Sequence, residues 1–89
     1  MMYPYMTLED GTEIVHSHII KDNNTDKIEV HFERPTENGF DSARCELPSY
    51  NWLIIEGYTQ EDVDFFETYL KNNAHLLYKY AAQGGIKIA

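Results

Sequence analysis

Apolar residues recur at three- and four-residue steps through the last third of the chain: Val63, Phe66, Leu70, Ala74, Leu77 and Ala81, with Phe65, Tyr69, Leu76 and Tyr80 widening the stripe. The spacing predicts one long helix between Thr59 and Gly85 with a buried face. Thr59 followed by Asp62 has the spacing of a capping box, Tyr58 and Val63 stand where a hydrophobic staple closes, and Gly84-Gly85 supply a stop. Glu61, Asp62, Asp64 and Glu67 fall early and Lys71 and Lys79 later, which suits the helix dipole.

Upstream the period changes from 3.6 to two. Lys27 to Glu33 alternate polar residues with Ile28, Val30 and Phe32, the clearest strand pattern in the chain. Tyr3 to Leu8 and Glu13 to Lys21 read as earlier strands joined by an Asp10-Gly11 hairpin, which sets Tyr5 opposite His16 and Met6 opposite Val15. Arg34-Pro35 end the third strand. Asn38-Gly39 turn the chain into a fourth, Phe40 to Leu47, with Ala43, Cys45 and Leu47 on one side. After Pro48, Ser49 is placed to cap a short helix from Tyr50 to Glu56, closed by Gly57, although Trp52 to Ile55 suit a strand equally well. Ile86 to Ala89 alternate like a strand or fray as a tail. The expected architecture is α+β: a four-stranded antiparallel meander sheet, one face covered by the long C-terminal helix and the short helix before it, as one domain over residues 1–89.

Charge narrows the function classes. Seven Lys and Arg against fifteen Asp and Glu give a formal charge of −8, which repels phosphate backbones, so nucleic acid is not an expected partner. Cys45, the one cysteine, allows neither an internal disulfide nor a thiolate cluster, and its alternation with Ala43 and Leu47 makes it a small core residue. The first residues lack the basic and apolar regions of a signal peptide, and no apolar run reaches the ~20 residues that cross a bilayer. A cytoplasmic protein without membrane contact is the expectation. No glycine-rich phosphate loop, nucleophile elbow or zinc motif is present, and His75 has no nucleophile near it in sequence, so the chain is read as a non-enzyme.

What remains is the sheet's second face. If Ile28, Val30 and Phe32 lie under the helix, Lys27, Glu29, His31 and Glu33 point outward. With an even loop before that strand, Ile14, His16, His18 and Ile20 join them; with an odd loop, His16 and His18 enter the core. The even case gathers Tyr5, Ile14, His16, His18, Ile20, Glu29, His31 and Arg44 into one surface, Arg44 pairing with Glu29 or Glu33. Its apolar residues suggest contact with a protein partner or a second copy, in a small regulatory or antitoxin-like module that neutralises a basic protein. The same surface offers a second reading, a divalent metal held by His16, His18 and His31 with a glutamate, no other cofactor being expected.

Overall fold

The C-terminal helix forms where its caps dictate. In the computed structural model, which describes residues 1–86, α1 runs Gln60–Gln83. The Thr59 side chain accepts from the Asp62 backbone while the Asp62 carboxylate accepts from the Thr59 N–H, and Gly84, at φ 76°, closes the far end in the left-handed conformation. Val63, Phe66, Leu70, Leu77 and Ala81 are buried along one side, as their spacing requires. The strand pattern at the extreme C-terminus falls largely on residues 87–89, outside the described residues.

The sheet is antiparallel, with six strands among the described residues in place of the four expected: β1 Tyr3–Thr7, β2 Glu13–His16, β3 Ile20–Asp22, β4 Thr25–Thr36, β5 Gly39–Leu47 and β6 Asn51–Glu56. Their order is β1-β2-β4-β5-β6, with β3 pairing β4 beyond the end of β2. Two departures from expectation account for the number. The short helix is instead β6. Tyr50 takes a left-handed turn at φ 59° and the Ser49 hydroxyl accepts the Asn51 N–H, so serine closes a turn where a helix cap was expected. Trp52, Ile54 and Ile55 then lie along β5, where bulky and β-branched side chains pack well. The second departure is that the predicted second strand breaks into β2 and β3. Pro35, expected to end the third strand, sits inside β4, which extends past the last β2 pairing at Glu33 and so needs no donor on that side.

Helix and sheet enclose a core of Ile14, Ile28, Val30, Phe32, Ala43, Cys45, Leu47, Phe66, Leu70 and Leu77. Phe32 stacks on Phe66 with ring centroids 4.2 Å apart, and Tyr58 meets Phe66 edge-on at 4.9 Å. Polar tethers fix the helix over the sheet. Tyr5 donates to Asn73 Oδ1 at 2.7 Å, Trp52 Nε1 donates to Glu67 Oε1 at 2.9 Å, and the Tyr78 hydroxyl donates to the Asp26 carbonyl at 2.9 Å.

The break between β2 and β3 decides which side chains face the helix. The β3–β4 hairpin has a two-residue turn, Asn23-Asn24, both at positive φ, and pairs Ile20 with Lys27. Continued unbroken, that register would bring His16 opposite His31 on the outer face. Instead the chain slips one residue through Ser17–Ile19, and His16 pairs with Val30. The Ser17 hydroxyl stitches the slip, accepting the Glu29 N–H at 2.9 Å and donating to the His18 carbonyl at 2.8 Å, while Ser17 N–H donates to the Glu29 carbonyl. A one-residue slip turns every side chain of a strand to the opposite face. Ile14 and His16 are therefore buried under the helix and Val15 faces outward beside His31.

Candidate interaction surface

The face away from the helix is a set of cross-strand rows. Pro4, Val15, His31, Arg44 and Ile54 are partners across one row, and Thr7, Glu13, Glu33, Ser42 and Glu56 across the next. A third joins Glu29, Glu46 and Asn51. Arg44 Nη2 lies 3.6 Å from Glu33 Oε1, the pairing expected from sequence, and the Ser42 hydroxyl donates to Glu33. His31 Nε2 donates to Glu29 Oε1 at 3.1 Å, and Lys27 Nζ lies 3.4 Å from Glu46 Oε1 and 2.8 Å from Asp22 Oδ2. Glu13, Glu29, Glu33, Glu46 and Glu56 thus share a face with two permanent cations, Lys27 and Arg44, and carboxylates are in excess. At the β4–β5 end Phe40, opposite Pro35, is 65% exposed.

The expected surface is only partly assembled. Glu29, His31 and Arg44 lie on it, and Ile20, paired with Lys27, lies at its far end on β3. Ile14, His16 and Tyr5 do not. Ile14 and His16 are on the helix side because of the slip at Ser17, and His18 is exposed in the irregular link between β2 and β3. Tyr5 turns inward because the β1–β2 connection is longer than the two residues expected. Leu8 N–H donates to the Thr12 carbonyl, Asp10 Oδ1 accepts the Thr12 N–H, and the register becomes Tyr3 to His16 and Met6 to Ile14. The odd-loop alternative thus describes His16 but not His18. The three histidines are dispersed, and among the described residues no group of three or more His, Cys, Asp or Glu is arranged to hold a metal ion.

Buried His16 is held by one hydrogen bond. Nδ1 lies 2.8 Å from the Ser17 carbonyl, which can only accept, so Nδ1 carries the proton; Nε2 has no partner among the described residues. Tyr3 and Tyr5 pack against the ring at centroid distances of 5.7 and 6.3 Å. Cys45 is fully buried, and burial, with Glu67 and Glu46 adding to it, pushes its thiol up to about 12, so it is not an activated nucleophile. His75 is exposed on the helix. Arg34 is a structural clamp. It donates to Asp41 Oδ2 at 2.7 and 3.0 Å and to Asp10 Oδ2 at 3.0 Å, and lies 4.9 Å over the Tyr58 ring.

Among the described residues, β1 and β6 are the outermost strands of the main path of the sheet. β1 carries Pro4 and a register shift between Pro4 and Met6, both of which discourage another strand. β6 carries neither proline nor lysine, and Leu53 and Ile55 are each 45% exposed. The run Trp52-Leu53-Ile54-Ile55 signalled an apolar element from sequence, but only its placement beside β5 makes it an edge. Among the described residues, no helix is long and apolar enough to cross a membrane. Comparison with protein-family models, with curated proteins and with solved structures gave no match.

Proposed function

We infer that this chain is a non-enzymatic protein-interaction module whose working surface is the outer face of the sheet, and that its partner is a basic protein. The observation that supports this reading is the charge of that face: five glutamates in adjacent cross-strand rows against Lys27 and Arg44, on a chain of net charge −8. Such a face steers a cationic partner in from a distance and repels anionic ones. Phe40 and Ile54 add apolar area at its borders, giving the mixed character of an interface that opens and closes. The module is regulatory, antitoxin-like in neutralising its partner's positive charge, and a reducing cytoplasm suits its single buried thiol.

Affinity capture from the native host tests this. The tagged chain is compared with a Glu13→Lys, Glu33→Lys variant that reverses the middle of the face and leaves the core untouched. The wild type retains a basic protein that ~0.5 M salt releases, since screening cuts exposed charge attraction at that strength; the variant retains none. A bound protein that ignores both salt and the two substitutions would remove the proposal.

A further inference from the structure

We propose that β6 pairs with β6 of a second copy, antiparallel and about a two-fold axis, joining two sheets into one. This does not rest on the outer-face reading and uses the edge of the sheet, where Ile54 and Glu56 also border that face. As an edge strand, β6 leaves a row of backbone groups without a strand partner among the described residues, which another strand satisfies directly. The apolar run beside it is uninterrupted. Trp52, paired with Cys45, and Ile55, paired with Ala43, lie on the helix side; Asn51, Ile54 and Glu56, paired with Glu46, Arg44 and Ser42, lie on the outer side.

Two features select a second copy as the occupant. The first is charge. Repulsion between two chains of net charge −8 opposes most approaches, but Glu56 is the one ionisable residue of β6. The second is register. The shift between Arg44 and Cys45 leaves Leu53 as an extra residue in β6, and alternation from Trp52 turns it outward with Ile54. Read from either end, the strand is then outward, inward, outward, outward, inward, outward. A two-fold axis between Leu53 and Ile54 pairs Leu53 with Ile54, Trp52 with Ile55 and Asn51 with Glu56, each pair on one face. Centring the axis on Leu53 or on Ile54 would set inward residues against outward ones. In the allowed register Glu56 meets Asn51 of the second copy and never another Glu56.

Sedimentation equilibrium across micromolar to millimolar concentrations is the first measurement, on the wild type and on Leu53→Lys, an exposed position whose charge is brought near its own copy at the axis. The wild type associates to a dimer, and the variant, with unchanged circular dichroism, dissociates about 100-fold more readily, a difference of about 2.7 kcal/mol. The second measurement holds even if that variant misfolds. Asn51→Cys and Glu56→Cys chains, oxidised together, form a disulfide-linked pair, because directly opposed residues lie about 4.5–5.5 Å apart. Neither crosslinks alone, since like positions are then roughly 17 Å apart, five residues along a strand. A wild type that stays monomeric, a dimer indifferent to Leu53→Lys in a folded variant, or crosslinks formed as readily by either variant alone overturns the proposal.

Discussion

Replacing Ser17 by alanine removes one oxygen, and the fold makes its cost calculable. Ser17 is 5% exposed, and its hydroxyl is the acceptor for the Glu29 N–H and a donor to the His18 carbonyl. Stranding a buried N–H costs about 1–3 kcal/mol, and losing the second bond about 0.5–1.5 kcal/mol more. Water reaches the exposed side of the link at His18 and recovers part of this, so about 2–3 kcal/mol is expected. That is a large share of the roughly 5 kcal/mol at the low end of domain stabilities. Urea unfolding followed by Trp52 fluorescence reads it directly. With a slope near 1–1.5 kcal/mol/M for a chain of this size, the midpoint falls by about 2 M. Hydrogen exchange at the Glu29 and Ser17 amides should accelerate as well. A midpoint within about 0.3 M of wild type, with both amides still protected, would refute the view that this hydroxyl holds the β2–β3 slip in place.

Other perturbations have equally definite outcomes. Gly57 has φ 84°, and a Cβ there would sit 2.0 Å from Asp41 Oδ1, so Gly57→Ala must displace the carboxylate that Arg34 grips and adds left-handed strain; a loss of about 2–4 kcal/mol is expected on thermal unfolding. Thr59→Ala removes the hydroxyl half of the capping box and should cost about 1 kcal/mol, against only a few tenths for Thr59→Gly. Cys45 and Tyr69 are both pushed by burial to about 12, so between pH 9 and 12 the unfolded chain holds fewer protons than the native one. Stability is therefore full below pH 9 and declines as pH rises toward 12, and Cys45→Ala should flatten part of that decline in urea titrations. At pH 8 the native thiol should resist a disulfide reagent that modifies it at once in denaturant.

The legible parts of the sequence were those specified by local chemistry. The Thr59–Asp62 box, the Gly84 stop, the apolar stripe between them and the alternation of Ile28, Val30 and Phe32 all act within a few residues of themselves, and each formed as read except that Phe65, expected to widen the buried stripe, is 54% exposed. The four-residue run from Trp52 was ambiguous because period alone cannot separate a short strand from a short helix, and its pairing with β5, a tertiary fact, decided it. Parity along Glu13–Lys21 was lost for a subtler reason. The sequence leaves the parity of the turn before β4 open; the turn is the even pair Asn23-Asn24 and Ile20 lies outward as an even turn implies, but the serine that lets the chain slip resembles any other polar residue of a strand. Asp10-Gly11 misled in the same way: the aspartate bonds back to Thr12 and lengthens the connection, shifting β1 and drawing Tyr5 inward. The surface is acidic where a histidine cluster is expected, and Glu29, His31 and Arg44, with Ile20 at the far end, are what remains of the expected set.

The reading of that surface is tested most directly by amide chemical-shift mapping of the labelled chain as a captured basic partner is added. The account predicts shifts confined to the outer rows, at Glu13, Val15, His31, Glu33, Ser42 and Arg44, that fade as salt is raised. Shifts centred on the exposed side of the helix, at Asp64, Lys71 and His75, with the outer rows unmoved, would contradict it.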